Sequence, residues 1–188
     1  ELGTGPGRFR NLFKKFKYIG IDFYPFELVK IIADITKPLP LKDNVCDIVL
    51  LSNVLEHVNE PELLLRECCR ILKPGGILLG AVPFLGDVHQ EPYDFLRYTN
   101  YMLEYLFKKS GFRDAEIDTL TTPLEVYEGV QRIFFERLQS SRLSKIERIL
   151  SRVSFGVLKF INVIFSGIYR KAERSHRFTQ GYGFKAYR

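Results

Sequence analysis

A nearly uninterrupted apolar run, CDIVLLSN at residues 46–53, most constrains the fold of this chain. A strand that is apolar at almost every position is covered on both faces, which is typical of a parallel sheet flanked by helices. Similar short runs are YIGID, which ends at Asp22, VKIIAD, which ends at Asp34, and GILLGAVP. The pattern therefore predicts an α/β fold with right-handed crossovers.

Local signals predict the helices between these strands. Asn59 and Pro61 suit the N-cap and the first turn of a helix through ELLLRECCRIL. In the KPGG that follows, Gly75 or Gly76 suits a left-handed C-cap. A second helix, TNYMLEYLFKKSG, is expected to begin at the Thr99 cap.

Two further strands and two further helices follow from periodicity. FRDAEIDTL and the terminal GYGFKAYR predict strands, and a long helical stretch is expected over roughly residues 124–174, with an amphipathic helix over residues 143–168. Near the start of the chain, helical spacing in GRFRNLFKKFK predicts another helix. Its apolar positions are Phe9, Leu12, Phe13 and Phe16.

Composition bounds the organisation of the chain. With 188 residues, 46% of them apolar, we expect one domain over residues 1–188 with one core. Cys46, Cys68 and Cys69 are an odd count without metal-ligand spacing, so we expect reduced thiols, no bound metal and a cytoplasmic location.

The positive charge is concentrated in one late segment. Of the net charge of +6, residues 137–177 carry +8, so the rest of the chain is slightly acidic and we expect no nucleic-acid partner. Within this segment, residues 143–168 combine an apolar stripe with basic residues. Two interpretations of residues 123–175 stay open: a helical cap over the substrate site, or a segment in peripheral contact with an anionic membrane.

The first residues, ELGTGPG, form a glycine turn of the kind that approaches a ligand. A dinucleotide fingerprint beginning at Gly3 would need a glycine where Arg8 stands, which disfavours a nicotinamide-dependent oxidoreductase. Asp22 and Asp34 end successive strands, where carboxylates accept ribose hydroxyls and an adenine amino group. Either residue alone is also typical of a cap or turn, but together they predict an adenosine pocket.

Several segments together resemble the successive motifs of class I S-adenosylmethionine-dependent methyltransferases, over residues 1–118. They are ELGTGPG, YIGID, ADITKPLPLKDNVCDIVLLSNVLEHV, ECCRILKPGGILLGAVPF and KKSGF. The resemblance implies a Rossmann-like, mostly parallel sheet with an antiparallel last strand and a helical insertion before it. It also implies a chain truncated at its N-terminus, which lacks most of the first strand.

The resemblance assigns cofactor contacts residue by residue. It implies that the glycine turn passes under the methionine part of S-adenosylmethionine, that the acid after the second strand holds the ribose, and that the next acid approaches the adenine. Residues after the fourth strand border the methyl group. The cofactor-binding residues expected are Glu1, Gly3, Gly5, Gly7, Asp22, Phe23, Asp34, Ile35, Ser52 and Asn53.

Candidate catalytic residues lie in HQEPYDFLRYT, residues 89–99, and in VLEHV. His89 is a candidate general base, Arg97 or Tyr98 is a candidate for an acceptor contact, and Asp94 is a further candidate in the same loop. The alternative for Asp94 and Arg97 is an ion pair that shapes the loop. Glu56 and His57 lie near the pocket by strand order; His57 is a candidate catalytic residue, and its alternative is a packed loop residue.

The sequence thus predicts a methyltransferase that uses S-adenosylmethionine on a small-molecule or glycan-like acceptor. The alternative is a binding module of the same fold that retains the cofactor site without catalysis, or a fragment inactive for want of its first strand.

Overall fold

The apolar runs of the sequence form the strands of two β-sheets in a computed structural model, which describes residues 1–169 and 178–188. The chain divides into two units, one made of Glu1–Asp118 with Gly181–Arg188, the other of Thr119–Gln180. The first is built around the strands, and the second around two long helices.

The strands are mostly parallel with an antiparallel last strand, as predicted. β1 (Gly20–Asp22) and β2 (Val29–Ile32) form a parallel pair. The second sheet has the order β3-β4-β6-β5, with β3 parallel to β4 and β6 antiparallel to β4. This confirms the predicted α/β class. The four strands are β3 (Cys46–Ser52), β4 (Leu72–Pro83), β5 (Asp114–Thr119) and β6 (Gly181–Tyr187).

The first residues of the chain join the two sheets. The Leu2 N–H donates to the carbonyl of Leu50 in β3 at 3.0 Å, and the Ile21 N–H in β1 donates to the carbonyl of Glu1 at 2.9 Å. Leu2 also forms a parallel bridge with Ile21 and is 2% exposed. Residues 1–3 therefore lie between β1 and β3 and bring the carboxyl ends of these strands to one edge.

Helix α1 (Pro61–Ile71) has the predicted Pro61 in its first turn, but its N-cap is Glu60 rather than Asn59. The glycine cap predicted after it is wrong, because Leu72 is already extended and pairs with Cys46. The next β3–β4 pair joins Ile48 to Ile77, so the KPGG residues bulge out of β4. Gly75, with φ +79°, supplies the bend of that bulge instead of ending the helix.

Helix α2 (Asn100–Lys109) begins as predicted, since the Thr99 hydroxyl accepts the Met102 N–H at 3.2 Å. Its apolar face packs into the same core as α1, which includes Leu103 and Phe107.

The helix predicted over residues 8–17 is wrong. The structure has only a short 3-10 helix, Arg10–Phe13, followed by turns. Leu12 is 76% exposed and Phe16 is 53% exposed, whereas Phe9 and Phe13 are half-buried, so only half of the predicted apolar face is covered. An amphipathic pattern without packing does not sustain a short helix.

The second unit divides the predicted helical stretch into two helices, and the second of them closely matches the amphipathic helix predicted over residues 143–168. α3 (Pro123–Ser140) and α4 (Lys145–Tyr169) are separated by an extended Ser141, and the Ser144 hydroxyl then accepts the Glu147 N–H at 3.3 Å. This Ser-x-x-Glu capping box starts a new helix and so breaks the stretch. Residues 170–174 of the predicted helix lie outside the described residues.

α3 and α4 contact each other through specific pairs. The rings of Phe135 and Phe155 stack with centroids 4.3 Å apart, and the Asn162 amide donates to Gln131 at 2.9 Å. Within the described residues, neither of these helices nor any other has the length and apolar character needed to cross a membrane.

Candidate active site

The glycine turn is packed at both ends and open at its centre. Gly3, Gly5 and Gly7 all have positive φ, of 64°, 51° and 77°. A Cβ on Gly3 would lie 2.6 Å from Val54, and a Cβ on Gly7 would lie 2.3 Å from Leu28. A Cβ on Gly5 would meet no atom within 4 Å, so bare backbone faces open space there. This open position is where a ligand can approach the turn.

Asp22 holds the turn to the end of β1. Its Oδ2 accepts the Gly5 N–H at 2.8 Å, and its Oδ1 accepts the Tyr24 N–H at 3.0 Å. Each carboxylate oxygen has two lone pairs, so both oxygens retain acceptor capacity for a ligand hydroxyl. Phe23, between these residues, is 62% exposed beside the turn.

Asp34 follows β2 at the same edge, because Asp22 pairs with Ile32 in the parallel register. Its Oδ1 accepts the Thr36 N–H at 2.9 Å and the Thr36 hydroxyl at 2.6 Å. These hydrogen bonds lower the pKa of the Asp34 carboxyl, so it is ionised at neutral pH. Ile35 beside it is half-buried and packs against the core.

Ser52 and Asn53 end β3 next to the turn. Ser52 pairs with Ala81 of β4, and the Asn53 N–H donates to the Ala81 carbonyl at 2.8 Å. Asn53 has φ +51° and an exposed side chain. With Val54 against Gly3, these residues lie where the resemblance expects the methyl-donor end.

Glu1 differs from the other expected cofactor residues. Its carboxylate accepts the Tyr18 hydroxyl, and burial raises its pKa. It lines a cavity of about 510 Å³ between β1 and the amino-terminal half of β3, which none of the other expected ligands lines. The Glu1 side chain is thus directed away from the glycine turn.

Asp94 and Arg97 form an ion pair in the loop after β4. Arg97 donates to both carboxylate oxygens, at 2.6 and 2.7 Å, and the Asp94 side chain is 1% exposed. Arg97 also donates to the Asp87 carbonyl at 3.0 Å, and the His89 N–H donates to Asp94 at 2.9 Å. The guanidinium holds the pKa of Asp94 far below its usual range. The geometry is that of the ion pair considered as an alternative for these residues.

The same loop brings His89 to His57, with ring centroids 4.9 Å apart. Between them lies Glu56, which is fully buried in a 3-10 helix, Leu55–His57. Its carboxylate has no hydrogen-bond donor among the described residues, and burial raises its pKa. The loop is tied to this point because the Phe95 N–H donates to the Glu56 carbonyl at 2.8 Å.

Glu56 was placed near the pocket by strand order but was not among the expected site residues. The signal for its role is an acidic residue within the stretch VLEHV, whose apolar residues Val54, Leu55 and Val58 are buried. A buried carboxylate without a partner is costly and is therefore a strong pointer to function.

Comparisons with known proteins relate this chain to methyltransferases. Residues 1–80, from the glycine turn into β4, match the family described as "Methyltransferase domain". An uncharacterized protein of Methanocaldococcus jannaschii is 25% identical over 87% of this chain and 78% of its own length. An uncharacterized methyltransferase of Mycobacteroides abscessus is 34% identical over 42% of this chain, but only 37% of its own length is covered.

The fold also has solved counterparts. A SAM dependent methyltransferase from Archaeoglobus fulgidus matches with a TM-score of 0.62 and 19% identity, over 100% of this chain and 84% of that one. At this identity the likeness speaks for the fold alone.

Proposed function

We propose that this chain is a class I S-adenosylmethionine-dependent methyltransferase that transfers the cofactor's methyl group to a small-molecule or glycan-like acceptor, as the match of residues 1–80 to the methyltransferase domain family supports. The observation that carries the proposal is the convergence at one sheet edge of the open glycine turn, Asp22, Asp34 and the buried Glu56. The first three suit the cofactor, and the last lies where an acceptor would meet it.

The residues present fit the cofactor. Gly5 leaves open backbone toward the ligand, Asp22 retains lone pairs for ribose hydroxyls, and Asp34 is ionised beside them at the same edge. When bound, S-adenosylmethionine supplies a methyl group on a sulfonium that is already activated for in-line displacement. The chain is therefore required mainly to position the acceptor and to exclude water.

Proton removal is the remaining chemical task when the acceptor is a hydroxyl or an ammonium group. His89 is 38% exposed at its side chain and lies 3.8 Å from the buried Glu56 carboxylate. The His89 side chain is therefore open to solvent on one side and close to the Glu56 carboxyl group on the other. This placement supports a role for His89 at the acceptor.

Binding and transfer are tested separately. Calorimetric titration with S-adenosylhomocysteine should give one site per chain, whereas NAD should give none, because Arg8 replaces the third fingerprint glycine. Transfer of a radiolabelled methyl group is then screened against small hydroxylated and aminated molecules and against oligosaccharides. Binding without transfer to any acceptor would favour the non-catalytic module, and binding of NAD instead would contradict the assignment.

We further propose that α4 makes peripheral contact with an anionic membrane. Phe155 and Asn162 face α3, whereas the exposed apolar residues lie on the opposite side of α4. These residues, each more than half exposed, are Ile146, Leu150, Val153, Val157 and Ile164. An apolar stripe on a helix whose opposite face carries basic residues is typical of helices that lie in a membrane interface.

A further inference from the structure

Three side chains at the end of β3 converge without a proton donor between them. The Oε1 atom of Glu56 lies 3.8 Å from Nε2 of His57 and 3.8 Å from Nε2 of His89. Ligand-type atoms of all three residues lie within 4.8 Å of one another. Two of the three residues follow neighbouring parallel strands, Glu56 after β3 and His89 after β4.

The tautomer of His57 is set by the backbone. Its Nδ1 lies 2.8 Å from the carbonyl oxygen of Tyr93. A carbonyl only accepts, so Nδ1 carries the proton, and Nε2 of the neutral ring presents a lone pair. That Nε2 is buried and has no hydrogen-bond partner among the described residues. It is therefore a free electron-pair donor directed at the cluster.

His89 has the same arrangement. Its Nδ1 lies 3.2 Å from the Asp87 carbonyl oxygen and 3.3 Å from Oδ2 of Asp94, both of which are acceptors. Arg97 fixes Asp94 in place. A carbonyl or carboxylate behind the imidazole, with the second nitrogen left free, is the usual support of a metal-binding histidine.

We propose that Glu56, His57 and His89 bind a divalent transition-metal ion such as Zn²⁺. The Glu56 carboxylate is buried without a hydrogen-bond donor, and it faces the lone pairs of two imidazole nitrogens. A cation bound among these three groups would offset the cost of the buried, unpaired carboxylate. Two imidazoles with one carboxylate are a ligand set for zinc or iron(II) rather than for magnesium or calcium. The donor separations of 3.8 Å are close to the roughly 3.4 Å expected between ligands of a tetrahedral zinc. The proposal departs from the expectation of no metal, which considered only the cysteines.

Three protein ligands leave a coordination position open. Glu56 follows Ser52 by four residues in the chain, and Ser52 is expected to border the transferable methyl group. An acceptor hydroxyl bound to the ion would lose its proton to water more readily, and its oxygen would then attack the methyl carbon as the carbon–sulfur bond breaks. This role rests on the proposed methyl transfer, whereas metal binding does not.

The test is a metal titration of the full chain without an affinity tag. The protein is stripped of metal with a chelator and titrated with Co²⁺, whose visible absorption reports nitrogen and oxygen ligands, and Zn²⁺ is then added as competitor. We expect one Co²⁺ per chain, displaced by one Zn²⁺. Glu56→Gln and His89→Ala should each weaken binding by at least about 100-fold.

Glu60→Gln is the matched control, because Glu60 is exposed and lies outside the cluster. It should bind the metal as the unsubstituted chain does. Equal binding by Glu56→Gln and Glu60→Gln would mean an adventitious ion only and would overturn the proposal. So would the absence of stoichiometric binding by the unsubstituted chain, which would leave a proton shared between Glu56 and an imidazole as the explanation.

Thermal melts of the metal-free proteins give a second, independent readout. The amide of Glu56→Gln has no charge and can donate to the free Nε2 atoms, so this variant should melt above the metal-free parent. Added Zn²⁺ should raise the melting temperatures of the parent and of Glu60→Gln, but not that of Glu56→Gln. His89 is partly exposed, so His89→Ala keeps the titration interpretable if Glu56→Gln fails to fold. Because neither readout uses methyl transfer, the metal site and the proposed activity can fail separately.

Discussion

Asp22 Oδ2 accepts the backbone N–H of Gly5 at 2.8 Å, which ties the end of β1 to the open centre of the glycine turn. One carboxylate therefore shapes the turn and faces the space where a ribose is expected. We predict that Asp22→Ala weakens binding of S-adenosylhomocysteine by about 1.5–3 kcal/mol, through lost charge-assisted hydrogen bonds. Asp118→Ala, which removes an exposed carboxylate of β5, is the calorimetric control. Unchanged affinity in a folded Asp22→Ala would remove Asp22 from the site.

Two substitutions in the glycine turn should distinguish an effect on folding stability from an effect on cofactor binding. Gly5→Ala should cost only about 1–2 kcal/mol of folding free energy, the strain of a left-handed backbone, since its Cβ meets no atom within 4 Å. It should nevertheless abolish cofactor binding, because the methyl group enters the ligand's space. Gly7→Ala should destabilise more, since its Cβ would lie 2.3 Å from Leu28. Chemical denaturation and calorimetry of both variants check the order, and full cofactor affinity in Gly5→Ala would contradict it.

The loop after β4 is tested by exchanging one side chain at a time. His89→Ala keeps the backbone N–H that Asp94 accepts, so the loop should retain its shape. We expect cofactor affinity to stay constant while methyl transfer slows by about 10²–10⁴-fold. Glu91→Gln, an exposed position in the same loop, should change neither quantity. Loss of cofactor affinity in His89→Ala without a separate rate effect would make the loop a structural lid.

Local patterns in the sequence sufficed for much of the fold, but not for Glu56. The run at residues 46–53 and the Thr99 cap depend on neighbours in the chain, and both appear as predicted. The helix expected at residues 8–17 failed because periodicity does not reveal whether a partner surface exists. Strand order places Glu56 near the pocket, but its burial beside His89 was not predicted, because this contact joins residues 33 positions apart through the loop after β4.

Stability should depend on pH through Glu67. Its Oε2 accepts the Leu39 N–H at 2.7 Å and a guanidinium N–H of Arg70 at 2.7 Å, and Arg70 also donates to the Leu41 carbonyl. The Arg70 hydrogen bonds lower the pKa of Glu67 below its ordinary 4.5. A carboxyl with a lowered folded pKa stabilises the fold above its unfolded pKa, and this contribution is lost as the pH falls through the folded value.

Glu67→Gln should therefore be less stable than the parent by about 1–2 kcal/mol at neutral pH. The difference should shrink below about pH 4.5, where the parent itself loses the charge. Denaturant unfolding at several pH values measures it, and Glu60→Gln, at the exposed N-cap of the same helix, should show no such convergence. A difference that is independent of pH would show that Glu67 acts through neutral hydrogen bonds alone.

The apolar stripe of α4 is tested with lipid vesicles. Its residues are exposed on the side opposite α3, for example Leu150 at 62% and Val157 at 53%. Basic residues on the polar face of the same helix, such as Arg148 and Arg152, would each add at most about 1 kcal/mol near an anionic surface. Co-sedimentation should therefore require anionic lipid and weaken at high salt, which screens the charges.

The double variant Leu150→Gln with Val157→Gln should lose this sedimentation while keeping its melting temperature, because exposed positions contribute little to folding. Val130→Gln, which polarises a 59% exposed residue of α3 away from the stripe, is the control and should still sediment. A parent chain that stays in the supernatant with neutral and anionic vesicles alike would end the membrane proposal. Equal binding to both vesicle types at any salt would instead assign the attraction to apolar burial alone, because only the electrostatic part responds to lipid charge and ionic strength.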